Sequence, residues 1–320
     1  MTGGAGYIGS HACKALAQAG YLPVTYDNLS RGHKWAVQWG PLEEGDVRDP
    51  ARLEEVFEQY RPQAVLHFAG LTYVGESVER PELYYDHNVA GTLTLLGAMI
   101  RAGVRRFVFS SSAAVYGTPR GERVEEGDPT EPINPYGRCK LFVEQVLADY
   151  ARARGVRSVS LRYFNAAGAD PEGRTGEAHD PETHLIPLVL AAARGDREAV
   201  TLFGDDYDTP DGSCIRDYIH VTDLAEAHLM ALRALDDETG ARAFNLGNGR
   251  GFSVKQVIAA ASEVTGCVVP VELGPRRPGD PAVLVGSSER AASILGWKPS
   301  HAGLHHIIET AWRWMNRSGG

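Results

Sequence analysis

Cysteine is rare in this sequence, and long apolar runs do not occur in it. The cysteines number four in 320 residues, and their positions, 13, 139, 214 and 267, show neither metal-ligand spacing nor a paired pattern. We therefore expect reduced thiols, no metal ion and a cytoplasmic protein. There is no run of about eighteen apolar residues and no charged leader followed by an apolar stretch, so the sequence supports neither a membrane span nor a secretory signal.

Basic residues are fewer than acidic ones. The chain has 32 lysines and arginines against 41 aspartates and glutamates, which gives a net charge of −9 and a pI near 5.7. Because binding to a phosphate backbone requires a basic surface, this balance argues against a general nucleic-acid-binding protein, although a local phosphate pocket is compatible with it. The length is sufficient for one large domain and a smaller one.

Short apolar runs alternate with helical stretches in the first half of the chain. This alternation is typical of an α/β fold with a doubly wound parallel sheet. We predict strands near residues 22–26, 41–45, 64–69, 105–110 and 157–163, and helices near residues 7–19, 50–60, 82–102 and 136–154.

The pattern changes after about residue 166. The segment 166–181 is rich in glycine, proline and aspartate, and it predicts a loop that leads into a second region. There we predict helices near 184–194, 222–235, 253–265 and 301–315, and short strands near 200–203, 243–246 and 268–272. These elements indicate a smaller α/β domain over residues 167–320, after a first domain over residues 1–166 to whose sheet a later strand returns. Because the two domains must close on each other, we expect ligand contacts from both.

Three glycines at three-residue spacing, Gly3, Gly6 and Gly9, stand at the first predicted helix. Gly3 permits a tight turn, Gly6 lets the backbone approach a pyrophosphate, and Gly9 allows the helix to pack on the sheet. The next predicted strand ends in Asp27, eighteen residues after Gly9, where an acceptor for a ribose 2′-hydroxyl is expected. A carboxylate there repels a 2′-phosphate, which favours NAD over NADP. The alternative interpretation is that Asp27 is an ordinary turn residue.

Tyr136 and Lys140 lie four residues apart on a predicted helix, and Ser112 follows a predicted strand. The spacing places the ammonium and the phenol on one face of the helix, where the cation stabilises the phenolate. We expect Lys140, together with a nicotinamide charge, to lower the phenol's pKa by about three units from its usual value of about 10. Taken alone, the pair also fits a packed ring beside a solvated charge, but strand ends are where ligands bind in an open α/β sheet.

Several segments of the sequence resemble those of a known protein family. Residues 2–11 (TGGAGYIGSH), 110–117 (SSSAAVYG) and 135–140 (PYGRCK) resemble the extended short-chain dehydrogenase/reductases. Further segments resemble the UDP-glucose 4-epimerase family within them: 67–71 (HFAGL), 74–77 (VGES), 162–168 (RYFNAAG), 184–187 (HLIP), 216–221 (RDYIHV) and 276–280 (RRPGD). The resemblance implies a Rossmann-type sheet, tightly bound NAD and a UDP-hexose substrate. It also implies a symmetric homodimer formed by the stretches 82–102 and 136–154.

The resemblance assigns ligand contacts residue by residue. Besides the glycines, cofactor contacts fall on Tyr7, Ile8, Asp27, Asn28, Asp46, Val47, Phe68, Asn88, Ser110, Lys140 and Tyr163. Diphosphate contacts fall on Asn165, Arg216 and Arg277, and nucleoside contacts on Leu185, Phe203 and Asp280. The chemistry agrees, since an arginine fork grips phosphate oxygens and a carboxylate accepts from a ribose hydroxyl, although either arginine alone also fits a surface ion pair.

From these parts we expect a transient oxidation at C4 of the sugar. Tyr136, ionised with help from Lys140, removes the proton of the 4-hydroxyl while hydride passes to NAD, and Ser112 hydrogen-bonds the same oxygen. Hydride then returns to the opposite face. For His184 and His220 we expect substrate-loop and structural roles, because neither belongs to the Ser-Tyr-Lys set.

Three alternatives stand beside the interconversion of UDP-glucose and UDP-galactose. A nucleotide-sugar 4,6-dehydratase needs an acidic pair after the serine, where this chain has Ala113 and Ala114. A 4-epimerase of UDP-N-acetylhexosamine, UDP-pentose or UDP-uronate stays open, because Val283 and Leu284 are aliphatic near a position where some glucose-restricted relatives have a large aromatic. A non-catalytic NAD-sensing protein has no need of the serine, tyrosine and lysine together.

One departure from the family concerns the start of the sheet. The family places an apolar strand before the glycine loop, whereas this chain has only Met1 and Thr2 there. That strand normally lies in the middle of the sheet, so its loss leaves backbone groups of both neighbours unpaired. We therefore expect that the first strand is missing from this sequence and that the natural start lies upstream.

Overall fold

A computed structural model describes residues 1–119, 121–236, 240–277 and 280–317. The helices are α1 Tyr7–Gln18, α2 Pro50–Tyr60, α3 Val74–Glu79, α4 Pro81–Tyr84, α5 Gly91–Arg101, α6 Pro135–Arg154, α7 Leu185–Arg194, α8 Val221–Ala234, α9 Val254–Thr265 and α10 Leu304–Met315. The strands are β1 Thr25–Asp27, β2 Leu42–Glu44, β3 Val65–His67, β4 Arg106–Ser110, β5 Arg157–Tyr163, β6 Asn165–Ala167, β7 Val200–Phe203, β8 Ile215–His220, β9 Ala241–Leu246, β10 Gly251–Ser253, β11 Val271–Gly274 and β12 Val283–Leu284. Within the described ranges, no helix combines the length and apolar content needed to cross a membrane.

The large sheet is parallel and contains the cofactor-side strands. β3, β4, β5 and β9 pair in that order, and β1 pairs with β2. Thr2 joins the two groups, because it forms parallel bridges with both Tyr26 of β1 and His67 of β3. Its carbonyl accepts from the N–H of Phe68 at 2.8 Å. The full order is therefore β2, β1, Met1–Thr2, β3, β4, β5 and β9, and two residues lie where the resemblance predicts a central strand.

Helices cover both faces of this sheet. α1 and α8 pack on one face, where Leu16 and Leu224 share a buried cluster with Val108 of β4. α2, α5 and α6 pack on the other face, where Leu147 lies in a second cluster with Phe107. Phe107 and Val108 are neighbours in one strand and therefore point to opposite faces. The predicted Rossmann-type, doubly wound α/β fold is confirmed.

A smaller set of strands and helices forms the second half of the fold. β8 pairs with β6, β10 and β12, and β7 pairs with β11. Helices α7, α9 and α10 pack together through a buried cluster that includes Val189, Val257 and Ile307. The domain boundary at residue 166 stays a prediction.

Several elements differ from the sequence-based expectation. The strand predicted near 243–246 is β9, the later strand that returns to the first sheet, and α8 before it packs on α1 and that sheet. The sequence predicts that one later strand returns to the first sheet, but it does not identify that strand or α8, because apolar patterning indicates burial without specifying the sheet. The strand β8 was missed, because Arg216, Asp217 and His220 interrupt its apolar pattern. The predicted loop 166–181 begins within β6, and the strand predicted near 268–272 runs instead over 271–274.

The single helix predicted over 82–102 is also wrong in detail. The segment starts as α4, continues through a π-helical turn at Tyr85–Ala90, and becomes regular again in α5. Asn88 lies in the π-helical turn, and its amide is buried. Such turns often occur at functional sites, where they redirect a side chain.

Candidate active site

The glycine loop has the shape of an anion-binding turn. Gly3 has a φ of +74°, which favours glycine, and a Cβ there would collide with the backbone that follows β3. A Cβ on Gly9 would collide with Gly3. The N-cap residue Gly6 offers no side chain to the first turn of α1. The N–H groups at Tyr7 and Ile8 therefore lie at an uncapped, electropositive helix end, which fits a pyrophosphate.

Asp27 ends β1 and holds this loop in shape. Its Oδ2 accepts from the N–H of Ala5 at 3.0 Å, and its Oδ1 accepts from the N–H of Leu29 at 2.9 Å. Burial raises the pKa of Asp27, while these two hydrogen bonds oppose the rise. The carboxylate thus lies beside the glycine loop, where this fold presents a ribose acceptor.

Asn28, Asp46 and Val47 lie together beyond Asp27. The Asn28 amide donates to Asp46 Oδ2 at 2.9 Å, and Val47 is buried. The fork of Arg48 donates to the Asp46 carboxylate through Nε at 2.9 Å and Nη2 at 2.7 Å. These bonds hold the pKa of Asp46 well below its usual range, so the carboxylate is charged.

Three predicted cofactor residues mark the carboxyl ends of neighbouring strands. Phe68 follows β3, Ser110 ends β4 and Tyr163 ends β5. The hydroxyl groups of Ser110 and Tyr163 are hydrogen-bonded to each other. Asn88 fixes the loop after β3, because its Oδ1 accepts from the N–H of Leu71 at 2.8 Å and its Nδ2 donates to the carbonyl of the same residue at 2.9 Å.

The start of α6 places Tyr136 and Lys140 at the same sheet edge. Asn134 caps the helix, with its Oδ1 accepting from the N–H of Gly137 at 2.8 Å, and proline occupies the first helical position. The ammonium of Lys140 donates to the carbonyl of Ser110 at 2.7 Å and lies 5.7 Å from the centre of the Tyr136 ring. Helix α6 thereby brings its tyrosine and lysine to the end of β4.

Ser112 lies close to these groups and is buried with them. Burial raises the pKa of Tyr136 above its usual value, and a hydrogen bond with Ser112 opposes that rise. Burial lowers the pKa of Lys140 to about 8. The net shift of the Tyr136 pKa is upward, which differs from the acidic phenol expected from the sequence. A cation close to the phenol, such as the nicotinamide charge expected from the sequence, opposes the rise that burial causes.

A buried ion pair stabilises the segment that carries Ser112. Arg162 of β5 donates to Glu144 of α6 at 3.0 Å and to the hydroxyl of Tyr116 at 2.8 Å. Glu144 also accepts from the hydroxyl of Ser111 at 2.5 Å. The network fixes the chain on both sides of Ser112, and sequence reasoning had not identified it. An arginine and a glutamate eighteen residues apart give no local signal of pairing.

The predicted UDP contacts lie mainly at β8 and at the end of β7. Arg216 donates to Asp280 at 2.8 Å, and the guanidinium of Arg277 lies 3.9 Å from the centre of the Phe203 ring. Asn165 donates to the backbone carbonyl of Asp217 at 2.9 Å. Leu185 stands apart from these pairs, at the start of α7, where it packs against the buried cluster of the second half.

The two groups of residues are connected by one stretch of chain. Tyr163 ends β5, and only Phe164 separates it from Asn165 at the start of β6. Asn165 lies opposite Tyr218 in the parallel pair of β6 with β8, the strand that carries Arg216. The cofactor-side hydroxyls and the substrate-side cations are therefore held on directly connected strands.

Four further side chains meet in the loop before α7: Glu177, His179, Glu182 and His184. Burial lowers the pKa of His179, but hydrogen bonds with Glu177 and Glu182 outweigh it and raise that pKa to about 9. The same causes raise the pKa of His184 to about 10. This cluster was not predicted from the sequence. Its signal was the spacing Glu-x-His twice within eight residues.

His220 lies elsewhere, in the second half of the fold. Its Nδ1 accepts from the N–H of Thr222 at 3.1 Å, and its Nε2 lies 3.0 Å from the hydroxyl of Thr310. The ring also stacks against His301 at 4.8 Å between centroids. These contacts join the start of α8 to α10, which is a structural arrangement.

Comparison with known proteins identifies the family to which this chain belongs. Residues 1–247 match the NAD dependent epimerase/dehydratase family. The chain belongs to this family. It is 53% identical to the UDP-glucose 4-epimerase of Rhizobium leguminosarum bv. trifolii, over 99% of this chain and 97% of that one.

Solved structures agree with the sequence relatives. The UDP-glucose 4-epimerase of Brucella ovis in complex with NAD is 53% identical, with a TM-score of 0.96 over 98% of this chain and 96% of that one. The Bifidobacterium longum UDP-glucose 4-epimerase in complex with NAD⁺ and UDP is 40% identical, with a TM-score of 0.94 over 99% and 97% of the two chains. The resemblance to UDP-glucose 4-epimerases drawn from the motifs is therefore confirmed.

Proposed function

We propose that this protein interconverts UDP-glucose and UDP-galactose by transient oxidation at C4 of the sugar, with NAD as its cofactor. Its family is NAD dependent, and the relatives compared above are named UDP-glucose 4-epimerases. The observation that carries the proposal is the gathering of Ser112, Tyr136 and Lys140 at the carboxyl end of β4. This is the edge of the parallel sheet from which the glycine loop also emerges, after Thr2. An NAD-sensing protein without turnover would not need this set.

The glycine loop and the ends of β1, β3, β4 and β5 are proposed to hold NAD. The uncapped first turn of α1 receives the pyrophosphate, and Asp27 faces the adenosine ribose. The rest of the proposed NAD site is lined by Asn28, Asp46, Val47, Phe68, Asn88, Ser110 and Tyr163. When bound, NAD supplies an acceptor for the hydride at C4 and later a donor of the same hydride.

Tyr136 is proposed as the catalytic base and acid. Its hydroxyl is buried near Ser112, so both reach one substrate oxygen while water is largely excluded. Tyr136 takes the proton of the 4-hydroxyl as the ketone forms and returns it afterwards. Ser112 donates a hydrogen bond to that oxygen. Lys140, which is 5% exposed, supplies positive charge close to the phenol.

The UDP portion is proposed to bind at β8 and the loops around it. Arg216, Arg277 and Asn165 contact the diphosphate, while Leu185, Phe203 and Asp280 contact the nucleoside. Arg216 is paired with Asp280 through Nη2 at 2.8 Å, which places the proposed diphosphate contact beside the proposed ribose contact. An anchored diphosphate leaves the hexose free to turn, so either face of the ketone meets the hydride donor. Residues 1–166 then serve as the cofactor domain and residues 167–320 mainly as the substrate domain.

The proposal is tested by adding UDP-galactose to the purified holoenzyme and following UDP-glucose in a coupled assay. We expect formation of UDP-glucose with no oxidant or reductant other than what the coupling reaction consumes. A protein that contains NAD and forms no UDP-glucose contradicts the proposal. UDP-N-acetylglucosamine, offered in parallel, tests the second candidate. That candidate is favoured by the aliphatic Val283 and Leu284, the latter opposite Arg216 in the pair of β12 with β8.

We further propose a cytoplasmic homodimer. The resemblance assigns the interface to the stretches now seen as α4 to α6, where Leu93 of α5 and Phe142 of α6 are 38% and 46% exposed. Such exposed apolar side chains on long helices fit a bundle between two copies. The free thiols Cys13, Cys139, Cys214 and Cys267 fit a reducing compartment. Sedimentation of the protein and of Phe142→Glu tests the dimer, since a charge in the interface favours the monomer.

A further inference from the structure

The loop before α7 gathers four potential metal ligands into one place. One donor atom each from Glu177, His179, Glu182 and His184 lies within 4.8 Å of the other three. Both imidazole Nδ1 atoms converge on Glu177 Oε1, His179 at 2.9 Å and His184 at 2.8 Å. Glu182 closes the set, with an oxygen 2.9 Å from His184 Nδ1. Two nitrogens and two carboxylate oxygens thus face a common centre.

Side chains outside the cluster hold the loop in this shape. Trp314 donates to the carbonyl of Glu177 at 2.9 Å, and His33 Nε2 lies 2.7 Å from the carbonyl of Ala178. The hydroxyl of Tyr73 donates to the carbonyl of Pro181 at 2.9 Å. Three distant elements therefore fix the backbone between the four ligands. A ligand set whose backbone is held independently is preorganised for an ion.

Burial and donor type indicate the class of ion. The side chain of Glu177 is 7% exposed and that of His184 is 41% exposed. Glu177 therefore lies on the buried side of the cluster, and His184 lies on the side that solvent reaches. Imidazole nitrogens combined with carboxylate oxygens suit zinc and neighbouring transition metals, whereas magnesium and calcium prefer oxygen alone. Zinc accepts four such ligands at about 2.0–2.2 Å in a tetrahedral arrangement, which places neighbouring ligand atoms about 3.3 Å apart. The pairs now at 2.8–2.9 Å would therefore open slightly around an ion, while the wider separations, up to 4.8 Å, would close.

We propose that Glu177, His179, Glu182 and His184 form a binding site for one divalent transition-metal ion of the zinc class. The site is separate from the Ser-Tyr-Lys set. The His179 ring packs edge-on against Tyr7, the first residue of α1 after the glycine loop, with centroids 6.0 Å apart. His184 is the N-cap residue of α7, directly before Leu185. A bound ion therefore ties the glycine loop to the start of α7, and its expected role is to stabilise this connection.

Metal binding is measured on the full-length holoenzyme after treatment with a chelator. Cys267→Ser serves as the background, because Cys267 is an exposed thiol that competes for metal. Titration with Zn²⁺, followed by dialysis and elemental analysis, is expected to give about one ion per chain. Titration with Co²⁺ is expected to give the visible absorption of a four-coordinate ion with nitrogen and oxygen ligands. Mg²⁺ is expected to bind at no comparable level.

Variants assign the site. His179→Gln combined with His184→Gln removes both nitrogens, and we expect zinc retention and the cobalt spectrum to be lost. The matched control is His305→Gln, because His305 forms an exposed pair with Glu263 at 2.7 Å outside the cluster. Circular dichroism shows whether the double variant is folded. If it is not, the parent protein decides, since its unfolding midpoint must rise with Zn²⁺ concentration and not with Mg²⁺.

Two results overturn the proposal. One is a parent protein that retains clearly less than one zinc ion per chain and shows no rise in unfolding midpoint with Zn²⁺. The other is a folded double variant that binds zinc as well as the control does. In either case the four side chains form a hydrogen-bonded cluster of two imidazolium ions and two carboxylates, without a metal.

Discussion

The proposed reaction site and the proposed UDP site differ in how far water reaches them. Ser112, Tyr136 and Lys140 are at most 9% exposed, whereas Arg277 is exposed and stacks on the Phe203 ring. Burial shifts the pKa of both Tyr136 and Lys140. An arginine stays charged in either environment. Proton transfer thus uses groups whose pKa burial can adjust, while diphosphate binding uses arginines of both environments, Arg277 near solvent and Arg216 with 13% of its side chain exposed.

The largest expected effect on the reaction site comes from removal of the Tyr136 hydroxyl. We expect Tyr136→Phe to lower kcat by a factor of about 10²–10⁴, because the proton of the 4-hydroxyl then lacks its acceptor. The bound NAD should remain, which absorbance of the purified protein checks. Tyr150→Phe, on the same helix α6, is the control and should keep normal turnover. An active Tyr136→Phe enzyme would take the base role from Tyr136.

Burial of Lys140 is expected to lower the free energy of unfolding, while its side chain supports turnover. Its pKa is lowered from 10.5 to about 8, so burial of the ammonium costs about 3 kcal/mol below pH 8. Lys140→Met removes this cost and the hydrogen bond to the Ser110 carbonyl. We expect a large loss of turnover together with a gain of about 1–2 kcal/mol in the free energy of unfolding at pH 7.

The pH dependence of that gain has a defined sign. Between pH 8 and 10.5 the lysine is neutral in the folded protein and still charged in the unfolded one. Raising the pH through this window therefore stabilises the parent relative to Lys140→Met, and the difference shrinks. Urea unfolding of both proteins across the window measures it. The exposed variant Lys298→Met is the control, and a difference that does not change with pH would contradict the burial argument.

Loss of one substrate-side cation should affect binding rather than chemistry. We expect Arg277→Ala to raise KM for UDP-galactose by a factor of about 10–100, with kcat changed little, because a charged hydrogen bond contributes about 1.5–3 kcal/mol. Arg276→Ala is the neighbouring control, since the guanidinium of Arg276 lies 4.3 Å from the Tyr207 ring and pairs with Asp206 instead. Steady-state kinetics separate the two terms. A fall in kcat at unchanged KM would place Arg277 in the reaction site.

The smallest expected effect lies at the ribose acceptor. Asp27→Asn keeps one hydrogen-bond acceptor for the glycine loop and removes the charge, so we expect binding of NADH to weaken by a factor of about 10. Discrimination against NADPH should fall as well. Fluorescence titration measures both constants, with the exposed variant Asp149→Asn as control. Unchanged affinity and discrimination would assign Asp27 to the turn alone.

The sequence predicted the parts of the fold that depend on local patterns. The glycine loop, the start of α6 with Tyr136 and the apolar strand β4 are each encoded within about a dozen neighbouring residues. The parts that depend on distant partners were missed. β8 is a buried strand despite its polar residues, because its carboxylate at Asp217 accepts from backbone N–H groups of residues 248 and 249.

The same contrast applies to the site itself. Arg216 and Asp280 were each proposed as ligand contacts, yet their pairing across 64 residues was not predicted. The pKa of Tyr136 also departed from expectation, because helical spacing places Lys140 near the ring without predicting how strongly burial acts on the phenol. Sequence spacing therefore indicates which groups meet, while their ionisation depends on the surroundings that tertiary structure provides.

The most direct test of C4 oxidation uses UDP-galactose and the holoenzyme in D₂O, observed by proton NMR. Hydride that leaves C4 and returns to the opposite face never exchanges with water, so UDP-glucose should form with protium retained at C4. Deuterium at C4 of the product, or no UDP-glucose at all, would contradict the account.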